Sequence, residues 1–161
     1  MKFSFLTIGL VLLSVMHAYS QSDVPPPVIF AASTPCSQGT RPLPGMDAKE
    51  GCGLMKWELA LYERTFRLRC TYGMPAQGTK GFAGGGKTIA LEGQWDIQKG
   101  AASNPQATVY QLHDTQSGKT ISLLRLNDQL LHLLDSELHL MTGNGGWSYT
   151  LNRITGKSPK Q

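Results

Sequence analysis

The stretch Leu54–Tyr72, LMKWELALYERTFRLRCTY, decides the fold class because its apolar residues recur at every second position. They are Met55, Trp57, Leu59 and Leu61, then Phe66, Leu68, Cys70 and Tyr72. Successive side chains of a β-strand point to opposite faces, so this period of two predicts two strands with one buried face each. The short Glu63-Arg64 link predicts that the strands form a hairpin.

Similar short-period segments extend on both sides of this hairpin. Further strands are predicted at Val28–Ala32, Lys87–Gln98, Ala107–Asp114, Lys119–Leu126, Gln129–Leu134, Leu138–Thr142 and Trp147–Arg153. The segments TQSGK at Thr115–Lys119 and GNGG at Gly143–Gly146 are typical of turns. About eight short strands at regular spacing predict an all-β fold, either an antiparallel sandwich or a barrel.

The leucine-rich segment Leu123–Met141 is also compatible with a helix. Its middle holds Asp135-Ser136, a pair that favours a turn. The sequence therefore favours strands on both sides of that turn and leaves the helical alternative open.

The composition restricts the class of protein. The 161 residues suffice for one domain and hardly for two. Charged residues make up 16% and hydrophobic residues 40%, the opposite of the balance in disordered chains, and 18 glycines with 9 prolines argue against a helical bundle. The net charge of +4 has no basic run behind it, since Arg67 and Arg69 interleave with predicted core residues. We therefore expect no nucleic-acid partner.

Residues Met1–Ser20 are predicted to be a cleaved signal peptide. Lys2 gives a positive start, Phe3–Met16 is an apolar run too short to span a bilayer comfortably, and Ala18 and Ser20 are the small residues that a signal peptidase selects. We therefore expect a periplasmic or secreted protein without a transmembrane segment. A lipid anchor is not expected, because the first cysteine is Cys36.

The expected mature chain has three parts. Gln21–Pro27 is predicted to be a flexible, proline-rich lead-in, Val28–Ile154 a single domain, and Thr155–Gln161 a flexible tail.

The segment Gly81–Thr88, GFAGGGKT, satisfies the phosphate-binding pattern G-x-x-x-x-G-K-T letter for letter. That loop needs a buried strand before it and a helix after it, because only then do the backbone N–H groups converge on the phosphates. Here the loop-like Gly73–Lys80 precedes it and the strand-like Ile89–Ile97 follows it. We therefore interpret the glycines as a connection between strands and expect no nucleotide.

Three cysteines, Cys36, Cys52 and Cys70, would meet an oxidising compartment after export. Cys70 falls on the apolar face of its strand and is predicted to be a buried structural thiol. Cys36 and Cys52 flank a loop rich in Gly and Pro, and a disulfide closing that loop would stabilise the fold by about 3 kcal/mol. The alternative is a Cu(I) site built from the two thiolates and a methionine. The candidate methionines are Met46, Met55 and Met74. We favour the disulfide over the metal site, since the chain has no compact C-x-x-C.

Histidines and nucleophiles give little sign of catalysis. His132 and His139 become cross-strand neighbours, the spacing of a metal pair, if Asp135-Ser136 is a two-residue turn. Two solvated histidines are the favoured alternative, and His113 has no visible partner. Neither G-x-S-x-G nor H-E-x-x-H occurs, and the carboxylates are scattered. We therefore expect a non-enzymatic protein.

Several segments, in chain order, resemble the N-terminal domain of the NlpE family, described as copper homeostasis or resistance proteins of the bacterial envelope. The segments are Phe30–Cys36 (FAASTPC), Cys52–Tyr72, Gly93–Ile97 (GQWDI), Leu126–Ser136 (LNDQLLHLLDS) and Trp147–Asn152 (WSYTLN). In that family a P-C-x-x-C element leads into a hairpin, a G-x-W strand follows, and an L-x-x-L-D turn precedes a final Y-T-L strand. The resemblance implies a small antiparallel lipocalin-like β-barrel of about eight strands.

The family's C-x-x-C is associated with copper and with redox or surface stress signalling, and the resemblance carries it onto Cys36 and Cys52. Fifteen residues separate these cysteines here instead of two. Alternatively, Pro44-Gly45-Met46 matches the P-G-[IM] that follows the second cysteine in the family, in which case that cysteine has no counterpart. We expect neither the family's lipid anchor nor its C-terminal second domain.

Three functions remain open at this point. The first is an NlpE-like envelope protein in copper homeostasis or stress sensing, with a copper ion or an envelope signalling protein as partner. The second is a lipocalin-like module that holds a small apolar ligand in the barrel, unless the core side chains simply fill it. Those side chains are Trp57, Leu59, Phe66 and Leu68. The third is a structural or interaction domain whose contact surface is the loop Tyr72–Lys87.

Overall fold

Eight β-strands form a closed antiparallel barrel, in which each strand pairs with the next along the chain and the last pairs with the first. The computed structural model describes residues 25–36, 43, 46 and 51–154. The strands are β1 (Val28–Pro35), β2 (Leu54–Leu61), β3 (Thr65–Gly73), β4 (Lys87–Ala101), β5 (Asn104–Asp114), β6 (Thr120–Arg125), β7 (Leu130–Leu133) and β8 (Thr150–Ile154). The predicted all-β barrel is confirmed, and the predicted signal peptide and C-terminal tail lie outside the described residues.

The β2–β3 hairpin forms as its alternation predicts. Leu59 pairs with Leu68. Trp57 pairs with Cys70, so the apolar residues of both strands share the inner face of the barrel. Paired side chains on one face of an antiparallel ladder are close enough to pack, which is the contact that stabilises a sheet.

Closure of the barrel depends on the last strand. β8 pairs with β7 on one side and with β1 on the other, where Ile154 lies opposite Ile29 and Asn152 opposite Ala31. Closure removes the two free edges that β1 and β8 would otherwise present to a second chain.

The two ends of the barrel differ, and we name them by what lies there. The cup end holds the start of β1 and the β2–β3 turn, where Val28 pairs with Leu61, together with the β4–β5 and β6–β7 connections. The disulfide end holds the β1–β2 connection, where Pro35 pairs with Leu54, together with the β3–β4, β5–β6 and β7–β8 connections.

Side chains fill the middle of the barrel. Trp57, Leu59, Phe66 and Leu68 are at most 3% exposed and belong to one apolar cluster. Burying each of them stabilises the fold by about 1.5–3 kcal/mol relative to exposure. The indole N–H of Trp57 donates to the buried hydroxyl of Thr34 at 2.8 Å, so the polar groups in this core satisfy each other. The middle of the barrel therefore has no room for a ligand among the described side chains, and any such space lies towards an end.

A second apolar cluster lies on the outside of the barrel wall. Val109 alternates along β5 with the inward-facing Tyr110 and Leu112, so it faces outward, yet it is fully buried. The residues that cover it are Ala101, Ala107, Leu124, Leu134 and Leu138. The backbone N–H of Ala102 also donates to the carbonyl of Leu138 at 3.1 Å, which ties the β4–β5 hairpin to the segment after β7.

The predicted strand Leu138–Thr142 is wrong, because the segment makes only an isolated bridge between Leu134 and Leu140. A tight turn forms instead around Asp135, whose carboxylate accepts the backbone N–H of His139 at 2.9 Å. The leucines of this turn cover the outer cluster rather than extend the sheet, so apolar packing outweighs the local strand pattern. β6 and β7 also exclude the helix that the leucine-rich segment allowed.

Within the described ranges the only helical element is the single 3-10 turn Ala83–Gly85. None of the described residues forms a helix that is long and apolar enough to cross a membrane.

Gly93 allows β4 to pass close to β5. It pairs with Asp114, and a Cβ atom added to it would fall well inside the van der Waals radius of the His113 carbonyl oxygen. The glycine of the GQW segment is thus required by close backbone approach.

We expect Gly93→Ala to lower the free energy of unfolding by about 3 kcal/mol, because the backbone of β5 must shift to admit the methyl group. Denaturant titration of the oxidised protein measures this loss. Gly145→Ala is the matched control, since a Cβ atom there meets open space, and it should change stability by less than about 0.5 kcal/mol. Equal stability of the two variants would contradict the packing argument.

Candidate functional site

A cavity of about 360 Å³ opens at the cup end of the barrel, and we call it the cup. Its lining residues are Pro25, Pro26, Val28, Phe30, Leu61, Tyr62, Glu63, Trp95, Tyr110, Arg125, Asn127, Asp128, Leu131 and Arg153. These residues come from every strand except β3, from the β2–β3 and β6–β7 turns and from the two prolines before β1, so barrel closure is what brings them together.

The floor of the cup is the top of the barrel core. Phe30, Leu61 and Leu131 line the cavity from below and are themselves buried in the main apolar cluster. A buried, close-packed floor holds its shape when a ligand arrives, because its side chains have no free rotamers to adopt.

Two aromatic rings form one wall. Trp95 and Tyr110 are half-buried and lie with ring centroids 5.0 Å apart at 44° to each other. The indole N–H of Trp95 donates to the carbonyl of Tyr62 at 2.9 Å, which binds β4 to the β2–β3 turn. The wall therefore offers an apolar surface in a defined orientation.

The rim of the cup is charged. Arg125 follows the inward-facing Leu123 by two residues in β6, and Arg153 follows Leu151 by two residues in β8. Both arginines therefore lie on the inner face of the wall, where the strands reach solvent. Arg125 forms an ion pair with Asp128 in the β6–β7 turn.

The two cysteines of the favoured pairing are joined at the other end. Cys36 and Cys52 form a disulfide with their Cα atoms 5.4 Å apart, as predicted. It joins the end of β1 to the residues just before β2, and Leu43 from the intervening connection is buried in the core beside it. In this oxidised state the two sulfurs are bonded to each other and offer no thiolate to a metal.

The three candidate methionine ligands are dispersed around that end. Met55 is buried in the core, Met46 packs against the core, and Met74 is 53% exposed beside Gly51 and Gly53. Among the residues that the structure describes, no three His, Cys, Asp or Glu side chains are grouped so that they could hold a metal ion.

Cys70 is a free thiol that lies in the core. Burial raises the pKa of this thiol to about 12, because an apolar surrounding disfavours the thiolate. A protonated, inaccessible thiol is a poor nucleophile and a poor metal ligand, which agrees with the structural role expected of it.

The histidines do not form the cross-strand pair considered above. His132 uses one ring nitrogen to bond the Thr150 hydroxyl at 2.9 Å and the other to bond the Met141 carbonyl at 2.9 Å. His139 instead approaches the Asp135 carboxylate, at 3.5 Å. Because both ring nitrogens of His132 are occupied, the metal pair, which the sequence left as the less favoured alternative, is not formed.

His113 was expected to have no partner, and this expectation is wrong. Its ring nitrogens bond the Asp96 carboxylate at 3.0 Å and the Thr120 hydroxyl at 3.0 Å on the outer face of the barrel. Asp96 lies 17 residues before His113 and Thr120 lies 7 residues after it, and both meet His113 because β4, β5 and β6 are neighbours. The barrel register produces this contact, and no local pattern marks it.

The nucleotide-like segment is a connection between strands, as interpreted. Its glycines Gly84, Gly85 and Gly86 all have positive φ, and β4 begins at Lys87 instead of a helix. Lys56 holds this loop in place by donating to the Lys80 carbonyl. The proposal that the loop Tyr72–Lys87 is an interaction surface stays a prediction.

The sequence did not point to the cup, although a signal was present. Along β6 and β8, an arginine takes the next inward position after a run of core residues: Arg125 after Leu123, and Arg153 after Leu151. A charge on the inner face of a barrel strand marks the place where the interior opens to solvent. No family model, curated protein or solved structure matches the chain.

We expect Cys36→Ser/Cys52→Ser to lower the free energy of unfolding by about 3 kcal/mol, because the loop of sequence separation 16 is no longer closed in the unfolded chain. Denaturant titration measures the loss. A thiol assay provides the check on the parent protein: Cys70 alone should react after unfolding, and all three cysteines only after reduction. Three reactive thiols without reduction would contradict the disulfide.

Proposed function

We propose that this protein binds a small apolar molecule in the cup. The observation that supports the proposal is an open cavity of about 360 Å³ with a buried apolar floor and an aromatic wall. Small-molecule sites in proteins are typically concave, mostly apolar cavities of roughly 300–1,000 Å³ with a few polar groups that orient the ligand. The size of the cup suits a compact ligand rather than a long chain.

The energetics of such binding follow from the lining. A ligand that covers Trp95, Tyr110 and the half-buried Val28 removes apolar surface from water, and each Å² removed contributes about 25 cal/mol. Because the Trp95 ring is already held by its bond to Tyr62, little side-chain freedom is lost when the ligand binds.

Filling the cup should abolish this binding. We expect N-phenylnaphthylamine, a neutral apolar fluorescent probe, to bind the purified protein and Val28→Trp to weaken that binding at least about tenfold, because the added ring occupies the cavity. Fluorescence titration measures both affinities. Ala90→Trp is the matched control, since Ala90 is exposed on the outer face of β4, and it should bind the probe like the parent.

Two results would contradict the proposal. One is a parent protein that does not bind the probe. The other is equal affinity in the parent and in a folded Val28→Trp variant, which would place the probe elsewhere. Native mass spectrometry of the protein as purified adds an independent test, in which a retained ligand is expected.

A second candidate is envelope stress or copper sensing through Cys36 and Cys52, as the NlpE resemblance implies. The observation that favours it is the disulfide in the β1–β2 connection. Reduction would release two cysteine sulfurs, and thiolates are soft ligands that suit Cu(I). The disulfide would then act as the redox switch.

This candidate has its own test. We expect the reduced protein to compete with a chelator for Cu(I) and the oxidised protein not to, because only free thiolates ligate the ion. Cys36→Ser/Cys52→Ser should bind at least about tenfold more weakly than the reduced parent. Equal affinity in the reduced parent and the variant would exclude these cysteines as the site.

A further inference from the structure

We infer that the ligand of the cup is a compact amphipathic anion, whose apolar body lies on the floor and whose single acidic group meets Arg153 at the rim. This inference rests on the binding function proposed above and adds the chemical class of the ligand to it.

Arg153 lies at the edge of the apolar floor. In β8 the residue lies directly opposite Phe30 of β1, one of the three floor residues, and on the same inner face. Its backbone N–H donates to the Gln129 carbonyl at 2.7 Å, so the strand is held at this point even though the side chain is exposed. The side chain of Arg153 therefore starts from a fixed backbone position on the inner face, next to apolar surface.

The charged residues of the lining differ in whether they form an ion pair. Four charged residues line the cup, and Arg125 and Asp128 neutralise each other in an ion pair. Neither of the remaining two, Arg153 and Glu63, forms an ion pair with any residue in the described ranges. Glu63 lies in the β2–β3 turn at the tip of the rim, whereas Arg153 stands on the inner face of its strand. A ligand resting on the floor thus meets the cation.

The guanidinium of Arg153 suits an acidic group on the ligand. A guanidinium is charged at every accessible pH and presents parallel N–H groups that match the two oxygens of a carboxylate. The long side chain of arginine can also lay its methylene groups along the body of the ligand. An apolar floor beneath a guanidinium that has no ion-pair partner among the described residues is therefore complementary to a molecule with one apolar part and one acidic group.

Two probes that share a ring system test this inference. Anilinonaphthalene sulfonate carries an anionic group, and N-phenylnaphthylamine is the same ring system without it. We expect the parent protein to bind the sulfonate about fivefold more tightly than the neutral probe, since the rim contact is charge-assisted but partly exposed to water. Rising salt should weaken binding of the sulfonate and leave the neutral probe unchanged.

Arg153→Gln isolates the proposed contact. We expect it to weaken sulfonate binding about fivefold and to change the affinity for N-phenylnaphthylamine by less than about twofold. Arg69→Gln is the matched control, because it removes the same charge from an exposed position on the outer face of β3 and should leave both probes unaffected. Fluorescence titration at low and moderate salt measures all of these affinities.

The outcomes separate this inference from the proposed function. If the parent binds both probes equally and Arg153→Gln changes neither affinity, the inference of an anionic ligand is overturned. The cup would still be a binding site. The inference would also be overturned if Arg69→Gln abolished the preference for the sulfonate as strongly as Arg153→Gln does. General attraction of the anion to a basic protein would then explain the preference. Failure of the parent to bind either probe would overturn both proposals.

Discussion

The pairing of β8 with β1 is the contact on which the rest of the structure depends. Three residue pairs, from Ile29–Ile154 to Ala31–Asn152, turn a meandering sheet into a closed barrel. Closure gives every strand one inner and one outer face, and it lets the alternating apolar residues of eight strands converge on a single core. Without it, β1 and β8 would be free edges and the inner face would remain open to water.

Side chains fill the interior of the closed barrel to different degrees along its length. Trp57, Phe66 and their neighbours fill the middle, while Leu43 and the disulfide Cys36–Cys52 cover one end. At the other end the inner positions pass from leucine to arginine, and a cavity remains. The two candidate functions therefore occupy opposite ends of one barrel, ligand binding at the cup and thiol chemistry at the disulfide.

The outer cluster around Val109 shows that the inside of the barrel is not the only apolar surface. The segment after β7 folds back over the wall and holds the β4–β5 hairpin, so its leucines serve packing where their pattern suggested another strand. The same neighbouring strands bring Asp96, His113 and Thr120 into contact. Both features depend on the register between three neighbouring strands, which is why neither local alternation nor motif spacing could reveal them.

The local sequence pattern by itself determined several features of this fold. Alternation alone located the β2–β3 hairpin and placed Cys70 in the core, because a strand exposes its two faces in turn whatever surrounds it. The flanks of GFAGGGKT likewise excluded a phosphate loop, since no helix could follow it. The cup was decided only by tertiary structure. Trp95, Arg125 and Arg153 lie on three different strands, and nothing in their spacing shows that barrel closure brings them to one cavity.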